Sequence, residues 1–251
     1  HQRTVSMTNL VQDPIFWLIA MIGLVLTGIS KSGFAGGAGV VAVPLLSLKV
    51  GVLEATAITL PLLLLMDAKT LRYYCSHINW NELKRLLPGA FIGILLGGLS
   101  MGSLPERWLL IGLGVLSIVF ATWASLQTIF AKLTRASWFW STTSGLTSTL
   151  VHAGGPPINI YFISRRLEKL PWLATAAAFF AIMNVVKLIP YTLNEQWSKE
   201  SFMISALLFP IALFGVWLGK GIQQRLSEQT FMQACRALLL LSGIGLIAKA
   251  I

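Results

Sequence analysis

The chain has 251 residues, of which 55% are hydrophobic and 11% are charged. Soluble domains carry roughly 25% charged residues, so this composition excludes a water-soluble globule. Lysine and arginine total 19 and the acids total 9, giving a net charge of +10 that in a soluble protein would indicate nucleic-acid binding. The two cysteines, Cys75 and Cys235, lie in distant segments, and we expect both to be free thiols.

Long uncharged runs explain the apolar composition. Several of them approach or exceed the roughly 17 residues that cross a hydrocarbon core. Divided at charged or glycine- and proline-rich breaks, the chain gives the segments 14–30, 36–49, 53–74, 86–103, 107–126, 137–152, 156–165, 172–194, 201–219 and 229–251. We therefore predict an all-α polytopic membrane protein with about ten helical segments.

Two of these segments, 36–49 and 156–165, are too short to cross a membrane alone. Each follows a glycine-rich turn, with SGFAGGAG before the first and HAGGPP before the second. Such pieces are typical of broken or re-entrant helices that line a cavity enclosed by protein. We expect both segments to take this form.

The two halves of the sequence match each other at a spacing near 117 residues. The matching pairs are Gly28 with Gly145, Met66 with Met183, Tyr74 with Tyr191 and Trp80 with Trp197. This agreement indicates a duplication, and five segments per copy make the two copies inverted repeats. We divide the chain into an N-terminal extension at 1–13, a first transmembrane repeat at 14–126, a cytoplasmic linker at 127–136 and a second transmembrane repeat at 137–251.

Basic residues set the predicted orientation in the membrane. Loops on one side collect 11 lysines and arginines, and loops on the other side collect 5. The positive-inside rule places the larger group in the cytoplasm and both termini outside, and we expect a bacterial inner membrane. Because this topology explains most of the basic excess, we expect no nucleic-acid partner.

Charged residues inside the predicted segments are candidates for function. Lys31, Lys187 and Asp67 fall there, where a charge costs several kcal/mol unless it is paired or faces water. Asn184 and Tyr191 share a helix face with Lys187 through their i, i+3 and i+7 spacing. We hypothesise that Asn184 and Lys187 bind substrate.

The first half repeats this pattern with Asp67, Thr70 and Tyr74. We assign Asp67, Tyr74 and Tyr191 to coupling or gating. Two structural alternatives stay open at this point. Asp67 could pair locally with Lys69, Thr70 or Arg72, and Lys187 could reach the outer membrane interface.

The glycine-rich turns are the strongest candidates for a binding site. Each opens a short helix whose first N–H groups lack intrahelical partners and whose dipole favours an anion. Prolines fit the first helical turn without loss of a hydrogen bond. Alternatively, the glycines serve only close helix packing. The residues assigned to substrate binding at the turns are Ser30, Lys31, Ser32, Gly36, Gly37, His152, Gly154, Gly155 and Pro156.

The sequences around these turns resemble a known family. GISKSGFAGGAGVVAVPLL at 28–46 and GLTSTLVHAGGPPINIYFISRRL at 145–167 are similar to the paired motifs of the TauE/SafE family of sulfite exporters and sulfonate permeases. FFAIMNVVKLIPY at 179–191 also resembles that family's second half. The resemblance implies membrane transport of sulfite, organosulfonates or related oxoanions and carboxylates.

We therefore predict a secondary transporter, not an enzyme, that needs no cofactor and binds no metal. It would hold a small sulfur-containing or carboxylate anion between the two helix N-termini near the membrane midplane. Its further partners are membrane lipid, protons as coupling ions and other copies of the chain in a homo-oligomer.

Other functions are weaker candidates. An anion channel or uniporter of the same fold stays open. A divalent metal-ion permease is disfavoured because the segments contain few carboxylate, thiolate or imidazole groups. An intramembrane hydrolase built on Ser144 and His152 is disfavoured because their i, i+8 spacing puts them about 12 Å apart along a helix.

Overall fold

A computed structural model of the chain describes residues 12–36, 41–46, 49–50, 52–101, 103, 105–122 and 136–251. Its helices are α1 (Pro14–Phe34), α2 (Ala42–Leu46), α3 (Val52–Tyr74), α4 (Trp80–Leu99), α5 (Glu106–Thr122), α6 (Ser137–Val151), α7 (Gly155–Arg165), α8 (Lys169–Leu193), α9 (Lys199–Gln224) and α10 (Glu228–Ala250), with a 3₁₀ turn at Cys75–His77. The described ranges contain no strand, so the prediction of an all-helical protein is confirmed. Residues 1–11 of the predicted extension and 127–135 of the predicted linker lie outside the described residues.

Among the described residues, three helices are long and apolar enough to cross a membrane by length and composition. They are α1, α8 and α9. Large apolar side chains face outward from them, for example Leu18 and Ile22 on α1 and Phe209 and Trp217 on α9. Outward apolar faces of this kind are typical of helices that contact lipid.

Two helices begin six residues away from their predicted starts. α2 has 5 residues, where the sequence predicted helix over 36–49, and the Ala42 N–H at its start donates to Thr27 Oγ1 at 3.0 Å. α4 begins at Trp80, six residues before the predicted start, because Asn79 caps it by accepting from the Glu82 N–H at 3.2 Å. The sequence analysis interpreted the charged residues before position 86 as a boundary between segments, but the first turn of a helix accommodates charged side chains.

Helices α1 and α6 end in the same way. Ala35 and His152, which are 117 residues apart, both adopt the left-handed conformation, with φ of 51° and 54°. After each of them, the next residue donates its N–H to the carbonyl six residues earlier, at 2.8 Å and 3.2 Å. These are Schellman-type ends, which turn the chain sharply and satisfy a free helix carbonyl. Both glycine-rich motifs lie at such a turn.

The two halves pack against each other through matched helix pairs. α1 lies along α9, α6 lies along α4, α3 contacts α8, and α5 contacts α10. Glycines allow these helices to approach closely. A Cβ at Gly28 would lie 2.7 Å from backbone atoms of Gly215, and one at Gly145 would lie 2.3 Å from Ala90 O. Small residues allow this backbone contact between membrane helices. The first described helix of each half therefore packs on the fourth described helix of the other half.

Two apolar clusters fill the space between these helices. One contains Trp172, Phe179 and Met183 of α8 with side chains of α4 and α7. The other contains Phe16 and Leu24 of α1 with side chains of α3 and α9. Polar side chains lie between the two clusters, and they form the site described next.

Candidate functional site

A small cavity lies where α1, α3, α6, α7 and α8 meet. Its lining residues are Lys31, Gly36, Leu63, Ser148, His152, Gly155, Phe180 and Asn184. Its volume of about 20 Å³ is enough for about one water molecule. Both glycine-rich turns reach it, since Gly36 follows the end of α1 and Gly155 begins α7.

Lys31, in the last turn of α1, forms one ion pair at this cavity. Its Nζ donates to Asp67 Oδ1 on α3, and the two side chains are 6% and 2% exposed. Asn184 of α8 donates its Nδ2 to the second oxygen, Asp67 Oδ2. The Lys31 ammonium also lies 5.0 Å from the centre of the Phe180 ring, within the range of a cation–π contact. Asp67 thus connects α1, α3 and α8.

Lys187 forms a second cationic group with neutral partners. Its side chain is fully buried, and Nζ donates to Ser148 O at 3.1 Å and Ser148 Oγ at 3.0 Å. Nζ also lies 2.9 Å from His152 Nδ1. On the other edge of the ring, His152 Nε2 lies 3.1 Å from Thr56 O, and the imidazole stacks on Tyr191. His152 Nδ1 also lies 2.9 Å from Ser148 O, so both ring nitrogens face a backbone carbonyl.

Both structural alternatives for these charges are wrong. Asp67 pairs with Lys31 across a helix interface, rather than with Lys69, Thr70 or Arg72 on its own helix, because α1 brings an ammonium to its carboxylate. Lys187 does not reach the outer interface, because its ammonium turns inward to α6.

Two tyrosines hold the helix ends next to the cavity. Tyr74 Oη donates to Ser32 O at 2.9 Å, and Tyr191 Oη donates to Thr149 O at 2.9 Å. Each bond joins a long helix, α3 or α8, to the C-terminal turn of α1 or α6. Donors and acceptors of the two bonds are related by the same offset of 117 residues. The tyrosines therefore fix the turns from which Lys31 and His152 project.

Several predicted residues lie near the cavity without lining it. Ser32 Oγ donates to a carbonyl of α9 at 2.7 Å, which joins α1 to α9. Gly154 packs against α6, where a Cβ would lie 2.8 Å from a serine Cβ. Ser30 and Pro156 are buried beside the cavity, outside its lining set. Gly37 lies outside the described residues.

The helix starts beside the cavity offer few free amides. Pro156 and Pro157 occupy the first turn of α7 and have no N–H to donate. At the start of α2, the Ala42 amide is already bonded to Thr27. Most polar contacts at the cavity therefore come from side chains.

The sequence analysis did not assign Leu63, Ser148 or Phe180 to the site. For Ser148 a signal was present in the sequence, because it lies 117 residues after Lys31. Applying the offset to the residues already chosen would have found Ser148. No signal in the chain marked the apolar wall formed by Leu63 and Phe180 before the helices were placed.

Metal or hydrolytic chemistry has little support from the side-chain geometry. Within the described ranges, no three His, Cys, Asp or Glu side chains are grouped closely enough to hold a metal ion. Ser144 Oγ donates to Gly154 O at 2.8 Å, so it supports the turn between α6 and α7. His152 contacts Lys187 and Thr56 instead of this serine.

A second polar cluster joins α4 to α7 away from the cavity. Glu82 is buried and accepts hydrogen bonds from Tyr161 Oη and from Arg165 Nε, the latter at 3.1 Å. Arg165 Nη2 bonds to the same carboxylate, and Arg85 approaches it at 3.4 Å. The cluster lies at the end of the helices that the basic loops predict to be cytoplasmic.

Comparison with known proteins identifies relatives of the chain. The family model described as "Sulfite exporter TauE/SafE" matches residues 19–246. The chain is 26% identical over 178 residues to the probable inner membrane transporter protein TsaS of Comamonas testosteroni, covering 68% of this chain and 73% of that protein. No solved structure matches the chain.

Proposed function

The chain belongs to the sulfite exporter TauE/SafE family, so it is a membrane transporter rather than an enzyme, and we propose that it carries a small sulfur-containing anion across a bacterial inner membrane. Sulfite, an organosulfonate or a related carboxylate is the proposed cargo. The resemblance of the turn sequences to this family is confirmed by the match over residues 19–246.

The buried cationic cavity is the observation that carries the proposal. Lys31 lines this space and Lys187 donates to Ser148 in its wall, although a buried charge costs several kcal/mol in a membrane. Ser148, His152 and Asn184 add polar groups at the same walls. An anion is the ligand that such a cavity stabilises best, and glycine at 36 and 155 lets the backbone approach it closely.

The cavity has space for about one water molecule, and we propose that its walls move when an anion binds. The Lys31 side chain is the group that we propose to move, because its ammonium can leave Asp67 and contact the ligand. We propose that the remaining site residues support the two turns with their backbone and side chains. These residues are Ser30, Ser32, Gly37, Gly154 and Pro156.

We further propose that the two halves are inverted repeats that move against each other. The equivalent helix ends at Ala35 and His152 and the equivalent bonds of Tyr74 and Tyr191 support this organisation. The cavity lies between elements of both halves, as expected for alternating access around a fixed site. In this mechanism the tyrosines serve as gating residues, and Asp67 is the candidate for proton coupling.

The first experiment measures thermal unfolding of the purified protein in detergent with added ligands. Sulfite, sulfoacetate, taurine, sulfate, chloride and divalent cations are compared, because a ligand at 100 times its dissociation constant stabilises the folded state by about 2.7 kcal/mol. We expect stabilisation by a sulfur anion, lost in Lys187→Met. Lys84→Met removes a charge from the exposed side of α4 and serves as the matched control.

Transport in proteoliposomes separates the remaining alternatives. Accumulation of a labelled anion against its gradient, driven by an imposed pH difference, supports a proton-coupled secondary transporter. Equilibration without accumulation indicates a uniporter or channel. In the thermal-unfolding experiment, stabilisation of the folded protein only by divalent cations would contradict the anion proposal.

A further inference from the structure

One amide side chain lies between the two glycine-rich turns. Asn159 of α7 is fully buried, and its Nδ2 donates to Gly155 O at 2.9 Å and to Ala35 O at 3.4 Å. Its Oδ1 accepts from the Trp172 indole N–H at 3.0 Å. Through one functional group Asn159 therefore contacts the end of α1, the start of α7 and the first turn of α8.

The chemistry of these partners fixes the orientation of the Asn159 amide. An indole N–H only donates and a backbone carbonyl only accepts, so the indole faces the amide oxygen and both carbonyls face the amide nitrogen. The two N–H groups of Nδ2 match the two carbonyls. None of these groups titrates near neutral pH, so the arrangement does not depend on a protonation state.

The two carbonyls belong to the backbone on which the cavity is built. Gly155 lines the cavity directly, and Ala35 precedes Gly36, which lines it from the first half of the chain. The bond to Gly155 stays within α7 and makes the Asn159 amide part of that helix. The bond to Ala35 reaches across to the end of α1, so Asn159 ties the two turns together.

We propose that Asn159 is a positioning residue that limits how far the two turns separate, and so restricts the size of the anion that the cavity accepts. The inference rests on the proposed function and narrows its substrate class. A ligand that needs a wider gap separates Asn159 from Ala35. The Ala35 residue is buried, and a buried carbonyl that loses a donor costs free energy, so larger anions bind less well than their own contacts would allow.

The first half of the sequence does not repeat this tether at the equivalent positions. The residues 117 positions before Asn159 and Trp172 are Ala42 and Ala55, and an alanine side chain has no hydrogen-bonding group. The offset between the halves therefore gave no signal for Asn159. A single substitution at Asn159 removes the tether.

The experiment measures dissociation constants of two alkanesulfonates by isothermal titration of the purified protein in detergent. Methanesulfonate and 1-butanesulfonate carry the same head group and the same charge, so the ratio of their constants cancels effects of charge. Leu63 and Phe180 offer the longer chain apolar contacts at the cavity wall. In Asn159→Leu, which keeps a similar volume without the hydrogen bonds, the ratio of the butanesulfonate constant to the methanesulfonate constant should fall by at least about fivefold, the effect of one hydrogen bond.

Asn194 provides a matched control at an exposed position. Its Nδ2 donates to Pro190 O at 2.8 Å and to Gly98 O at 3.4 Å, so it makes the same kind of bonds away from the cavity. Asn194→Leu should leave the ratio unchanged. If Asn159→Leu does not fold, Trp172→Phe provides a second test, because loss of the indole N–H frees the amide to rotate, and the ratio should fall by at least about twofold.

The outcomes separate this inference from the proposed function. An unchanged ratio in folded Asn159→Leu, or equal weakening of both sulfonates, would show a merely structural role, overturn the inference and leave the anion transporter intact. An equal fall of the ratio in Asn194→Leu would also overturn it. Failure of the wild type to bind either sulfonate would overturn the inference, and if sulfite also failed to stabilise the protein, the proposed function would fall with it.

Discussion

Asp67 and Asn184 lie 117 residues apart in the sequence and are hydrogen-bonded to each other in the structure. In the inverted-repeat organisation that we propose, these are equivalent positions, and a contact between them lies where the two copies meet. The carboxylate at one position and the amide at the other make the halves differ in charge at this contact.

Removal of the Asn184 amide should therefore destabilise the fold. We expect Asn184→Ala to lower the free energy of unfolding by about 1.5–3 kcal/mol, because a buried carboxylate loses a donor. Denaturation in detergent measures the change. A double-mutant cycle with Asp67→Ala isolates the contact, and additive effects of the two substitutions would contradict a direct coupling.

Substitution of Gly28 should weaken the packing of α1 on α9. In Gly28→Ala the new Cβ would lie 2.7 Å from the backbone of Gly215, so the helices must separate. We expect a loss of about 1–3 kcal/mol in the free energy of unfolding. Gly221→Ala on α9 is the control. No atom lies within 4 Å of its added carbon, so it should cause no loss in the free energy of unfolding. A similar fall in melting temperature for both variants would refute the packing argument.

The Glu82 cluster should contribute more to stability than its outermost arginine does. In Glu82→Ala, Tyr161 and Arg165 lose a buried carboxylate, and we expect a loss of about 2 kcal/mol. Arg85 is 58% exposed at its side chain and approaches the carboxylate at 3.4 Å, so Arg85→Ala should change stability by less than about 0.5 kcal/mol. Melting curves of the two variants under one condition make the comparison. Equal losses would show that the cluster acts only through surface charge.

The stability of the first helix should depend on pH through Asp13. A hydrogen bond from Lys49 and the Ile15 amide lower the pKa of the Asp13 carboxyl below its usual value. Since the folded-state pKa is lowered, the contribution to stability is present above the unfolded pKa of about 3.9 and is lost as pH falls through the folded value. Asp13→Asn should melt below the wild type at pH 7, and the difference should shrink as the pH falls below about 4. A difference that is constant with pH would argue against the charge as its cause.

Local patterns marked part of the cavity lining. Lys31 was chosen because a charge is costly in an apolar segment, His152 because it lies beside a glycine-rich turn, and Asn184 because it shares a helix face with Lys187; Lys31, His152 and Asn184 line the cavity. The partner of Asp67 could not be predicted in this way. Local neighbours at i+2 to i+5 are visible in a sequence, whereas Lys31 reaches Asp67 only because α1 and α3 lie side by side.

The second helix shows another limit. The segment 36–49 contains apolar residues throughout, and hydropathy cannot show where a short helix begins between tight turns. The bond from Ala42 to Thr27 determines that start, and it depends on the packing of α2 against α1. Similarly, the buried state of Glu82 depends on Tyr161 and Arg165, which are supplied by the other half.

The crossed packing of the halves has a consequence for biosynthesis. α1 leaves the ribosome early, but its glycine face rests on α9, which ends at Gln224. At about 5–20 residues per second, roughly 10–40 s pass before that partner has been synthesised. During this time α1 faces lipid or the insertion machinery with its close-packing surface uncovered. Two separately expressed halves should therefore each be degraded alone and accumulate when they are produced together in the same cell.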